Sequence, residues 1–150
     1  MKKLILSAIL AAMPAVAFAD DAKEAAVEAR QGYFQMLGIN MGVLSGMARG
    51  EIAYDEDAAS TAATNIGVLS NYALAGLFVE GTSSDDMDDT GALPVIWSDS
   101  ADFATKYAAL GEAASGAGEA VKGGQANIGP VLQALGGSCK SCHDKFRKPE

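Results

Sequence analysis

Asn127-Ile128-Gly129-Pro130-Val131-Leu132-Gln133-Ala134-Leu135-Gly136-Gly137-Ser138-Cys139-Lys140-Ser141-Cys142-His143-Asp144-Lys145-Phe146 carries both a helix pattern and a chemical motif. Ile128, Val131, Leu132, Leu135, Cys139, Cys142 and Phe146 recur at three- and four-residue steps, which places them on one helical face. Pro130 falls in the first turn, where its missing N–H leaves no bond unmade. The spacing therefore predicts a helix beginning near Asn127. Cys139 and Cys142 lie three apart on its apolar face, and His143 follows at once.

Cys-x-x-Cys-His is the attachment pattern of a c-type haem. On a helix, both thiols can add to the porphyrin vinyls while the next imidazole turns under the iron as proximal axial ligand. Cys139 and Cys142 are thus read as the covalent anchors of one haem c, and His143 as its metal ligand. A disulfide and a thioredoxin-like redox pair are the competing readings. The redox pair wants a βαβ setting, which the chain lacks. The chain holds only 2 Cys and 1 His, all within these five positions. One His excludes a His–His metal site and leaves no distal base for peroxidase chemistry, so the chain reads as a binder or carrier and not an enzyme.

Working back along the chain, three more helices appear. Val27, Phe34, Leu37, Met41 and Leu44 form a seam with Arg30 in the same stripe, and Gly50 ends that helix. A second is predicted from Asp57 to Val79, with Ala59, Ala62, Ile66, Leu69, Ala73 and Leu77 in register. A third, capped by Ser98 or Asp99, passes Phe103, Tyr107, Leu110, Ala114 and Ala117 to about Val121. Residues 80–94 hold Gly, Asp and Pro and read as a long, functional loop. The pattern predicts an all-α, antiparallel four-helix bundle.

Composition agrees. The 150 residues are 49% hydrophobic but only 7% aromatic, which favours packed helices over strands. The net charge of −8 gives nucleic-acid binding no electrostatic basis. Lys2 and Lys3, the apolar run from Leu4 to Val16, and Ala17-Phe18-Ala19 make a secretory signal peptide over residues 1–19, cleaved before Asp20. The bundle then spans residues 20–150, takes a charge of −10 once the two lysines are gone, and is exported to a periplasm without a membrane anchor.

Ala29-Arg30-Gln31-Gly32-Tyr33-Phe34, Ile96-Trp97, and Gly137 to Arg147 with its Cys-x-x-Cys-His resemble cytochrome c′, across residues 20–150. The resemblance implies a left-handed, up-down-up-down bundle. It implies that Arg30 reaches a haem propionate, with Gln31 beside it and Thr90 at the haem edge. It places the residue four after that Arg over the distal face of the iron, where low-spin relatives carry Met. This chain carries Phe34, which has no lone pair to give. Met36 lies about 200° round the helix, and Met41 about 10 Å along it. The expectation is a five-coordinate, high-spin iron with an apolar distal site that takes nitric oxide and carbon monoxide. A low-spin, six-coordinate electron carrier is the alternative. The matching Arg in the family lies beside the proximal His, which points to Arg147; a helix-terminal cation is the plain reading. Trp97 packs near the haem or simply in the core. Lys140, Lys145 and Lys148 form a basic rim for a redox partner protein. The family also implies a homodimer, for which Met36, Ile39 and Val43 are the outward apolar residues.

Overall fold

The computed structural model describes residues 15–149, with side chains from 20 onward; the predicted leader falls mostly outside that span. Four helices build the bundle: α1 (Ala15–Ala48), α2 (Glu56–Leu69), α3 (Ser100–Ala114) and α4 (Ile128–Phe146). Helix α1 packs on α2 and α3 on α4, with α1 also against α4. Among the described residues, the only β pairing is an isolated bridge between Ala92 and Arg147.

The core follows the predicted seams. Val27, Leu44, Ala59, Ile66, Ile128 and Leu135 are all at 1% exposure or less. Gly50 takes φ +72° just past α1, a conformation in which a side chain would be strained. Asp55 caps α2 by accepting the Ala58 N–H at 2.8 Å.

Three expectations are corrected. Helix α2 stops at Leu69, not Val79, although Ala73 and Leu77 continue its period. Ser70 Oγ and Asn71 Nδ2 both donate to the Gly67 carbonyl at 2.8 Å, drawing the backbone out of the helix. The chain resumes as a short 3₁₀ turn, Leu74–Leu77, and only Leu74 of it is buried. Helix α3 ends at Ala114, because Ser115 is extended and Gly116 is left-handed; the single turn Ala117–Ala120 follows. That turn crosses α2 closely enough that a Cβ on Gly118 would run into Thr64 Oγ1. The α1 seam runs through Tyr33, at 3% exposure, and not Phe34, at 40%.

Asp99 does not cap α3 with its side chain. It joins Asp102 in holding Lys145, at 2.6 and 2.8 Å, and so ties α3 to the end of α4. Those bonds hold the Asp99 carboxyl below its ordinary range and the Lys145 ammonium above its own. The basic rim is largely spoken for, since Lys140 also pairs with Asp144, one turn on.

Candidate functional site

A cavity of about 700 Å³ opens between α1, α3, α4 and the loop before α3. Cys139, Cys142, His143, Arg30, Gln31, Phe34, Thr90 and Arg147 all line it. Trp97 does not. It sits behind the cavity, donating from Nε1 to the Phe78 carbonyl at 2.9 Å with its ring edge-on to Phe78, and Phe78 forms the wall. Trp97 is thus a buttress to a lining residue.

Helix α4 supplies one wall. Its period brings Cys139, Cys142 and His143 to the cavity in a single turn. Burial pushes both thiols up. Burial first, and the charge of Arg147 second, lower His143 below the usual imidazole range. A neutral imidazole is the form that a metal takes. Arg147 does not continue α4. It is extended at the helix end, with φ −120° and ψ 136°, and its N–H donates to the His143 carbonyl at 3.1 Å. Its side chain reaches the cavity from a bridged segment, not from the helical face that the spacing suggested.

The opposite end is a polar network around Arg30, which is 2% exposed. Its guanidinium donates to Thr82 Oγ1 at 2.7 Å, to the Thr82 carbonyl at 2.6 Å, to Thr90 Oγ1 at 2.8 Å and to the Leu77 carbonyl at 3.2 Å. Its Cζ lies over the Phe78 ring, 4.9 Å from the centroid. Desolvation lowers its pKa, and Asp89 opposes this electrostatically. Gln31 Nε2 donates to the Asp89 carbonyl at 2.6 Å. The long loop is therefore pinned, not free: Thr82, Ser83 and Thr90 are buried, and Asp86 accepts from the Ser83 N–H and hydroxyl.

The lining shows what the cavity accepts. No Asp or Glu lines it, although the chain carries a charge of −8. Arg30, Lys106, His143 and Arg147 line it among apolar side chains. A buried guanidinium bonded only to neutral oxygens is costly unless an anion completes its pairing. The space thus suits a large apolar group with an acidic edge, anchored at two thiols and one imidazole. Haem c meets each of those terms.

Sequence reasoning missed Lys106 and Thr82. Lys106 sits among Phe103, Tyr107 and Leu110 in the α3 stripe, the same signal of a cation in an apolar face that singled out Arg30. Its Nζ donates to Ser141 Oγ at 2.9 Å. Thr82 gave no signal, because its partner is 52 residues away.

Comparison with known proteins agrees with this construction. The sequence model described as Cytochrome C' matches residues 25–147. The chain is 41% identical to a cytochrome c′ of Cereibacter sphaeroides over 98% of both sequences. It superposes on a solved cytochrome c′ from Rhodobacter Spheriodes with a TM-score of 0.81 at 39% identity, over 85% of this chain and 98% of that one. A second solved structure is a cytochrome c′ with an unusual ligand-controlled dimer dissociation. It gives a TM-score of 0.73 at 26% identity, covering 85% of this chain and 97% of that one.

Proposed function

The chain belongs to the cytochrome c′ family and is a c-type haem protein, and from that premise we propose a gas-binding protein with an open sixth position that also passes electrons. Haem iron supplies the redox couple and the coordination site when it is bound. This chain's residues do the rest. Cys139 and Cys142 anchor the macrocycle through thioethers, and His143 ligates from the α4 side. Arg30, with Gln31 and Thr90 alongside, receives the propionate edge. Arg147 stands on the proximal side.

The single observation that carries the open site is the α1 wall. Arg30, Gln31, Phe34, Gln35, Leu37, Gly38 and Met41 line the cavity there. Arg30 and Gln31 are committed to the loop, and Gln35 is an exposed residue; the rest of that wall offers apolar carbon and one thioether. Apart from the Gln35 amide, such a wall has no donor to stabilise polar bound dioxygen, while nitric oxide and carbon monoxide need less help. Phe34 adds bulk that slows ligand entry.

Residues 1–19 are proposed as an export signal and residues 20–150 as the periplasmic protein. A homodimer is proposed through α1 and the end of α2. Met36 and Ile39 are 48% and 69% exposed, and Val68 is also exposed. Val43 packs against the core instead, which corrects its place on the outward face. The relative with ligand-controlled dimer dissociation supports a link between ligand and assembly.

The test is an absorption spectrum of the holoprotein, ferric and dithionite-reduced, with and without carbon monoxide. A broad high-spin spectrum that shifts with carbon monoxide is expected. A sharp low-spin spectrum indifferent to the gas makes Met41 the sixth ligand and the protein a dedicated electron carrier.

A further inference from the structure

Three of the chain's 4 tyrosines lie in a row from the cavity to the surface. Tyr107, on α3, lines the cavity. Its ring centroid is 6.5 Å from that of Tyr33, which is 5.9 Å from that of Tyr72. Tyr33 is 3% exposed and Tyr72 is 51% exposed. The Tyr33 and Tyr107 hydroxyls are 2.9 Å apart. Both reach the Leu69 carbonyl, at 3.1 and 3.2 Å, and Tyr107 also reaches the Tyr72 carbonyl at 2.9 Å.

A phenylalanine would fill either buried position without a hydroxyl to satisfy. Part of the reason for phenols is structural, since they add a second hydrogen bond to the Leu69 and Tyr72 carbonyls where α2 ends. Their chemistry adds a second reason. Phenols are among the few side chains that yield one electron readily, provided that the proton leaves too. Tyr33 and Tyr107 are both pushed up by burial, and their partners are carbonyls and each other, all weak bases. Neither can release a proton for long. Tyr72 can, because water reaches it.

We propose that Tyr107, Tyr33 and Tyr72 form a relay that carries one-electron oxidising equivalents from the haem cavity to the surface, where they come to rest on Tyr72. The oxidant is a hydroperoxide; with no distal base in the cavity its reduction is slow, a stoichiometric oxidation of the chain and not a peroxidase turnover. One hydrogen peroxide takes two electrons and two protons from two phenols, giving two waters and two phenoxyl radicals. The electrons leave through the cavity, and the protons enter water at Tyr72. Two such radicals on two copies then join ring to ring as dityrosine. The relay spares Met41, a cavity thioether that oxidises to the sulfoxide. This inference rests on haem in the cavity, and it goes beyond the gas-binding reading.

The experiment is freeze-quench electron paramagnetic resonance of the ferric holoprotein mixed with hydrogen peroxide, followed by mass spectrometry. A phenoxyl signal is expected, with dityrosine-linked dimers at Tyr72. Tyr72→Phe lowers both at least tenfold and is exposed enough to leave folding unchanged. Tyr33→Phe raises sulfoxide at Met41. Tyr54→Phe leaves the signal as it is, because Tyr54 bonds the Val121 carbonyl away from the row. A signal unchanged by Tyr72→Phe, a radical on Trp97, or no radical in the wild-type protein overturns the relay.

Discussion

One cation in the cavity and one on the surface at the end of α4 are treated in opposite ways. Lys145 is 38% exposed and meets two carboxylates. Arg30 is 2% exposed and its hydrogen bonds go to neutral oxygens. Exposed ion pairs form at little cost and contribute little, whereas a buried charge without a hydrogen-bonded anion is expensive to keep. The contrast separates scaffold from site. Lys145 has its acids within the chain and fastens α3 to α4. Arg30 hydrogen-bonds only to dipoles there, with Asp89 acting on it through space, which marks where a ligand's acid belongs.

Breaking the buried side has the largest expected effect. Arg30→Met strands the Thr82 and Thr90 oxygens and takes the cation from the cavity. Denaturant unfolding of the holoprotein should show a loss of about 3–5 kcal/mol, the range for breaking a buried charge pair. Arg30→Lys should recover little, since an ammonium cannot reproduce the fork that holds Thr82 and Thr90 together. Equal stability of Arg30→Met and wild type would end the comparison. Thr82→Val comes next. It removes an acceptor from Arg30 and the hydroxyl that donates to the Val79 carbonyl at 2.6 Å. About 1–3 kcal/mol is expected in the same assay, the penalty for groups left buried and unpaired. Lys145→Met is the smallest. The Asp99 carboxyl is held below its ordinary range, so its contribution is present at neutral pH and fades as pH falls through that lowered range. Thermal melts of wild type and variant should differ slightly at neutral pH, then converge in acid and in about 1 M salt, where screening is nearly complete. A difference that persists in acid would place Lys145 with the buried class.

Period and punctuation made much of this fold legible. Pro130 and the 128–146 stripe located α4, Gly50 stopped α1, and a charge within an apolar seam exposed Arg30. The misses share a cause, which is that a period does not record competition. Ala73 and Leu77 keep the α2 rhythm, but Ser70 and Asn71 claim the Gly67 carbonyl. Tyr33 and Phe34 are adjacent aromatics, and only the packing of the other helices decides that Tyr33 enters the core while Phe34 faces the cavity. The cavity residues carried by the motif and by α1 were read from sequence. Thr82 was not, because the loop that presents it is shaped by Arg30 and not by its own composition. Trp97 was placed in the right neighbourhood, but one layer too deep.

The Ala92–Arg147 bridge ties the two walls of the cavity together by backbone. The Leu93 N–H donates to the Phe146 carbonyl at 3.0 Å, and the Lys148 N–H to the Gly91 carbonyl at 2.8 Å. The rim beside Thr90 is thus stitched to the segment that follows the attachment thiols. The last residues of the chain, which carry no motif of their own, act as a clasp: loosening them frees the loop edge that holds Thr90 against Arg30.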